Sequence, residues 1–166
     1  LLVIAGNETT TKLIGNACYW LWRFPDQRAI LLADPGRIAD AVEETLRYEG
    51  STQVMARTTT RDVERHGVVI PADTKVLLLL GSANRDERFW SRPDEFDLGR
   101  EAKGHLAFGH GIHVCLGAAL ARLETRIALE HLLERLGPYD VDPDGLVRVH
   151  SGNVRGYARM PIRSIA

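Results

Sequence analysis

Ten consecutive residues carry the strongest chemical signal in the chain: Phe108-Gly109-His110-Gly111-Ile112-His113-Val114-Cys115-Leu116-Gly117. A cysteine stands immediately ahead of a long amphipathic stretch, and the partial positive charge at a helix start favours thiolate over thiol. Gly109 and Gly111 permit a tight turn, while Gly117 has no side chain to keep a flat ligand off the backbone. The alternative is a buried cysteine in an apolar loop, the commoner fate of a lone Cys. Cys18, in a helical stretch with no glycine loop or cationic neighbour, is read that way. His105, His110, His113 and Cys115 are legal zinc ligands, which makes a zinc-binding module a remote alternative. They lack the paired Cys-x-x-Cys or His-x-x-x-His spacing usual in such sites.

Three weaker patterns accompany the loop. In Ala5-Gly6-Asn7-Glu8-Thr9-Thr10 an acid sits beside an alcohol within poor helix formers. Threonine hydroxyls there can bond the carbonyl one turn back and loosen the ladder, opening a groove for water and proton delivery. A helix cap or bend is the plainer reading. Glu44 and Arg47 are three apart and share a helix face, which by itself describes a solvated ion pair. Arg57 lies on a predicted strand, where a guanidinium can grip a carboxylate in bidentate fashion or simply face water.

The elements that must position these groups follow from apolar spacing. Residues 1–24 predict one long helix, with Leu1, Ile4, Leu13, Ile14, Leu21 and Trp22 apolar and Pro25 as its stop. A short helix runs from Asp26 to Ala33, and Ile38, Val42 and Leu46 mark a third from Arg37 to Tyr48. Gln53–Thr60, Val63–Ile70 and Lys75–Leu80 predict short antiparallel strands, broken by His66-Gly67 and Pro71-Ala72-Asp73. Arg85–Lys103 predicts a long meandering loop. Leu116–Leu136 predicts the clearest helix, on the stripe Leu116, Leu120, Leu123 and Ile127 continued by Leu132, Leu133 and Leu136, and ended by Gly137-Pro138. The tail from Val147 to Ile162 predicts two weak strands around Ser151-Gly152-Asn153.

Composition narrows the class. The 166 residues are 45% hydrophobic with a net charge of −1, a balance that favours a globular core and disfavours nucleic acid as a partner. The apolar runs Leu1–Ala5 and Val76–Leu80 fall far short of the roughly 20 residues a membrane helix needs. Two cysteines suit a reducing, cytoplasmic setting. The chain starts at Leu1 without a capping residue, which predicts a piece of a longer protein.

The Phe108–Gly117 loop resembles the cysteine-ligand signature of the cytochromes P450, Phe-x-x-Gly-x-(Arg/His)-x-Cys-x-Gly, at Phe108, Gly111, His113, Cys115 and Gly117. Ala5–Thr10 resembles the family's oxygen-activation motif, (Ala/Gly)-Gly-x-(Asp/Glu)-Thr-(Thr/Ser), with Glu8 where Asp is commoner. Glu44 and Arg47 match Glu-x-x-Arg, and Pro93–Arg100 resembles the Pro-x-x-Phe-Asp-x-x-Arg of bacterial members. The resemblance implies a mainly α fold with small antiparallel β-sheets (α+β). Residues 1–166 would form a single partial domain, from the oxygen-binding helix to the C-terminus, with the N-terminal part absent. It implies haem b, with Cys115 as axial iron ligand, Arg57 and His113 on the propionates, and Gly6, Phe108, Gly109, Gly111 and Gly117 against the cofactor. Glu8 and Thr9 become a catalytic acid–alcohol pair, and Glu44, Arg47 and Arg100 a buried network pinning the meander.

The implied activity is monooxygenation of a small hydrophobic substrate, with electrons from NAD(P)H through ferredoxin reductase and ferredoxin. Lys103, Arg122 and Arg126 would offer ferredoxin a cationic face. A haem-thiolate peroxygenase or isomerase, which needs no acid–alcohol relay, and a catalytically incompetent haem-binding fragment are the alternatives. Gly50–Val54 and His150–Val154 resemble substrate-contact segments, and the Asn-Glu-Thr-Thr variant is similar to that of actinobacterial sterol and lipid oxidisers.

Overall fold

The computed structural model describes residues 2–165; Leu1 and the side chain of Ile4, both counted in the first apolar set, lie outside the described residues. Helix α1 (Leu2–Arg23) carries Leu13, Ala17 and Leu21 one turn apart on its buried stripe. Pro25, whose fixed φ suits a first helical position, opens α2 (Pro25–Ala33). Helix α3 (Ile38–Glu49) buries Ile38, Ala41, Val42 and Leu46 against α1. Helix α5 (Ala118–Leu136) packs on both α1 and α3 through Leu129 and Leu133; the intervening α4 (Leu80–Ala83) is a single turn. Burying one such leucine contributes about 1.5–3 kcal/mol, so the α1–α3–α5 contact is the main stabilising layer.

The strands form four two-stranded antiparallel ladders among the described residues. Strand β1 (Val54–Thr58) pairs with β4 (Lys75–Leu79), placing Arg57 opposite Val76. The stretch Val63–Ile70 is a hairpin of β2 (Val63–Arg65) and β3 (Val68–Ile70), turned by His66 and Gly67 at φ 51° and 78°. The tail holds more structure than its sequence predicts. Strand β5 (Tyr139–Val141) pairs with β8 (Ile162–Ser164), and β6 (Val147–Arg148) with β7 (Tyr157–Arg159). The fully buried amide of Asn16 ties this tail inward: Nδ2 donates to the carbonyls of Glu49 (2.9 Å) and Arg155 (3.1 Å).

Helix α5 corrects the expected face. It starts at Ala118 rather than Leu116, and its buried side is Thr125, Leu129 and Leu133. Of the expected stripe, Leu116, Leu120, Leu123 and Ile127 are exposed, while Leu133 is buried and Leu132 and Leu136 pack partly buried against the core. The sequence is apolar on two sides, and hydrophobicity alone cannot say which side the rest of the chain covers.

Candidate functional site

The cysteine loop is shaped by its own backbone. Gly109 N–H donates to Leu106 O (2.9 Å), Val114 N–H to Gly111 O (3.0 Å), and Cys115 N–H reaches back to Phe108 O (2.9 Å). Gly109 and Gly111 hold φ of 71° and 73°, a region that penalises any side chain. Cys115 is exposed, flanked by Ile112 at 97% and Leu116 at 94% exposure. Cys18 behaves in the opposite way: burial pushes its thiol up to about 12, which keeps it protonated inside the core.

Beside the loop, α1 and α5 flank a pocket of about 370 Å³, with Gly6, Thr10, Gly117 and Leu120 in its lining. A Cβ built on either Gly6 or Gly117 meets nothing within 4 Å, so both glycines leave open space. The oxygen-motif region and the cysteine loop, more than 100 residues apart in the chain, therefore meet here. The loosened turn expected over Ala5–Thr10 is an unbroken part of α1. Thr9 Oγ1 donates to Ala5 O (2.6 Å) and Thr11 Oγ1 to Asn7 O (2.7 Å), bonds that the helix accommodates without opening. Thr9 O in turn accepts from Ser51 Oγ (2.6 Å). Glu8 is exposed and is not bonded to Thr9; adjacent helical side chains diverge.

Arg57 is half-buried, with Nη1 donating to Ala56 O (2.8 Å), and His113 is exposed on the loop. Among the described residues no three His, Cys, Asp or Glu side chains group as a metal site, so the zinc alternative has no cluster. The segments read as substrate contacts do meet: Thr52 bridges Val154, and Gln53 N–H donates to Asn153 O (2.9 Å), beside a polar pocket of about 440 Å³.

Helix α3 carries two charge networks. On one side Arg47 makes a bidentate pair with Glu44, both bonds 2.8 Å, and spends its remaining donors on the carbonyls of Asn84, Pro93 and Glu95. Glu44 Oε1 also accepts from Arg100 Nε (3.3 Å) and Asp97 N–H (2.9 Å). Glu44 and Arg47 are almost fully buried. On the other side Glu43 takes Arg122 at 2.5 and 3.0 Å and His105 at 3.2 Å. Burial pushes the Glu43 carboxyl up, but the bonds from His105 and Arg122 outweigh it and hold it down to about 2. This second group was missed in the sequence, because its members lie 62 and 79 residues apart. Arg122, expected on a docking face, is committed to Glu43 and stacked over Phe108. Arg126 lies 3.5 Å from Glu130.

Residues 38–146 match the model of one family, described as cytochrome P450. The chain belongs to the cytochrome P450 family. It is 54% identical, over 98% of its length, to cytochrome P450 123 of Mycobacterium tuberculosis, and 48% identical, also over 98%, to the vitamin D(3) 25-hydroxylase of Pseudonocardia autotrophica. Among solved structures it resembles CYP109E1 of Bacillus megaterium in complex with testosterone, with a TM-score of 0.95 and 37% identity over 99% of this chain and 46% of that one. The chain spans about 40% of the length of the curated cytochrome P450 relatives it matches. Membership implies a haem cofactor, and the residues present suit one. An exposed thiol stands in a glycine loop, Gly117 offers open space beside it, and Val114, Leu116 and Leu120 supply apolar surface for a flat ring.

Proposed function

We propose that the full-length protein is a haem-thiolate monooxygenase of the cytoplasm. It converts a substrate C–H, O2, NAD(P)H and a proton into C–OH, water and NAD(P)+, with the two electrons delivered by ferredoxin reductase and ferredoxin. The observation that carries this reading is Cys115, exposed at the end of a positive-φ glycine loop one turn ahead of α5. Residues 1–166 are then the C-terminal partial domain. No helix among the described residues is long and apolar enough to cross a membrane.

Haem b, when bound, supplies the oxygen activation that no side chain provides. Cys115 would hold the iron of that haem through its thiolate, a ligand that favours O–O cleavage. Arg57 and His113 offer N–H donors to the propionates, which are carboxylates. Gly6, Gly109, Gly111 and Gly117 carry no side chain that would obstruct a flat ring, Phe108 supplies an aromatic face at the start of the loop, and the apolar side chains of the loop would exclude water. Thr9 donates its hydroxyl hydrogen bond to Ala5 O, which leaves the lone pairs of its oxygen free to accept a hydrogen bond from a water and so position that water as the proton carrier; Glu8, exposed one residue earlier, is the acid of the pair on the solvent side. The Glu44–Arg47–Arg100 network holds the meander in place. Lys103 and Arg126 remain candidates for docking ferredoxin. A small hydrophobic substrate of sterol or lipid type is favoured by the vitamin D and testosterone named for two relatives.

Cys115→Ala in the full-length protein should abolish the thiolate-type band of the reduced carbonyl complex; a surviving band removes Cys115 as ligand and ends this reading. Thr9→Ala should keep haem but divert electrons to hydrogen peroxide, and coupling equal to the parent's would take Thr9 out of proton delivery.

A further inference from the structure

We propose that Glu43 is a positioning residue for the cysteine loop: its carboxylate on α3 gathers Arg122 of α5 and His105, and these two side chains close on Phe108, whose carbonyl holds the Cys115 amide. The inference rests on the reading of Cys115 as the iron ligand.

Glu43 accepts both prongs of the Arg122 guanidinium, Nε at 2.5 Å and Nη2 at 3.0 Å. Ala107 N–H donates to Nδ1 of His105 (3.2 Å), so the ring proton sits on Nε2, which donates to Glu43 Oε2 (3.2 Å). The Arg122 guanidinium lies 4.7 Å from the centroid of the Phe108 ring, and the His105 ring lies 5.8 Å away at 53°. Phe108 O then takes the Cys115 N–H at 2.9 Å. Three segments distant in sequence thus converge on the residue bonded to the ligand cysteine.

An exposed ion pair of this type is ordinarily worth little. This one differs in being bidentate, in including a His105 side chain that is only 4% exposed, and in ending at Phe108. Residues 110–117 are all exposed, so the loop borrows rigidity from whatever fixes Phe108. Without Glu43, Arg122 loses the anchor that holds it over the ring. Movement of Phe108 then passes directly to the Cys115 amide and the sulfur beside it.

The test uses the full-length haem protein and follows the lifetime of the thiolate-type band in the reduced carbonyl complex. Glu43→Gln should shorten that lifetime roughly tenfold, the factor expected from losing a charge-assisted bond. Asp40→Asn, which breaks an exposed pair with Arg37 on the same helix, should leave it at the parent's value. Equal lifetimes in Glu43→Gln and parent, or the same shortening in both variants, overturns the inference. Should Glu43→Gln fail to take up haem, Arg122→Lys is measured in its place, since it keeps the charge but loses the second prong; a shortened lifetime carries the inference and an unchanged one overturns it. A parent protein with no thiolate-type band refutes Cys115 as ligand, a failure distinct from a failure of Glu43.

Discussion

Two stretches between α4 and α5 meet opposite fates. The meander of residues 85–103 has no helix or strand, yet Trp90, Phe96, Leu98 and Ala102 are buried and the carbonyls of Pro93 and Glu95 are taken by Arg47. The cysteine loop has no regular element beyond one 3-10 turn at Gly111–His113, yet residues 110–117 are exposed and held by bonds along their own backbone. The first stretch is closed by the chain's own side chains. The second turns a thiol and several large apolar side chains outward, the arrangement of a surface that meets a ligand or another part of a protein. Order without regular structure therefore has two sources here: a buried guanidinium that collects carbonyls, and glycines that fix a turn.

The comparison breaks most visibly at Arg47. Arg47→Ala leaves Glu44 as an uncompensated buried charge and strips three carbonyls of a donor, so stability should fall by about 3–5 kcal/mol in denaturant unfolding. A loss below about 1 kcal/mol would mean that the meander is held by its aromatic residues instead.

Acid should sharpen the contrast next. The Glu43 carboxyl, about 2 in the folded chain against an ordinary 4.5, contributes stability that is fully present above 4.5 and is lost as pH falls toward about 2. Urea unfolding above and below 4.5 should show this acid limb, flattened in Glu43→Gln. An identical limb in both proteins would assign the loss to other carboxylates.

The smallest effect belongs to the loop. Leu116→Ala should change the unfolding free energy of the haem-free full-length protein by less than about 0.5 kcal/mol while speeding haem release. A large stability loss with unchanged haem release would make Leu116 a packing residue.

Much of this was legible in the sequence where the signal is local. The stripes on α1 and α3, the break between α1 and α2 at Pro25, and the glycine spacing of the cysteine loop all lie within a few residues of what they determine. Contacts that join distant residues were not. Tyr139-Asp140-Val141 is too short to announce a strand, and its partner β8 lies over 20 residues on. Arg47 pairs largely with backbone carbonyls, which every residue offers and no motif marks. The outward face of α5 misled because Leu116, Leu120, Leu123 and Ile127 form as regular a stripe as the buried Thr125, Leu129 and Leu133. The expected opening of α1 failed because a threonine hydroxyl can take an i−4 carbonyl without displacing the helical N–H.

Asn16 sets a rule for anyone trimming the molecule. Its amide spans the last carbonyl of α3 and Arg155, so shortening the polypeptide to before that arginine strands a donor in a dry interior and also peels Tyr157 from Tyr19. The C-terminal strands act as a clasp, and protease nicks within 155–164 should loosen the middle of α1 well before they reach the cysteine loop.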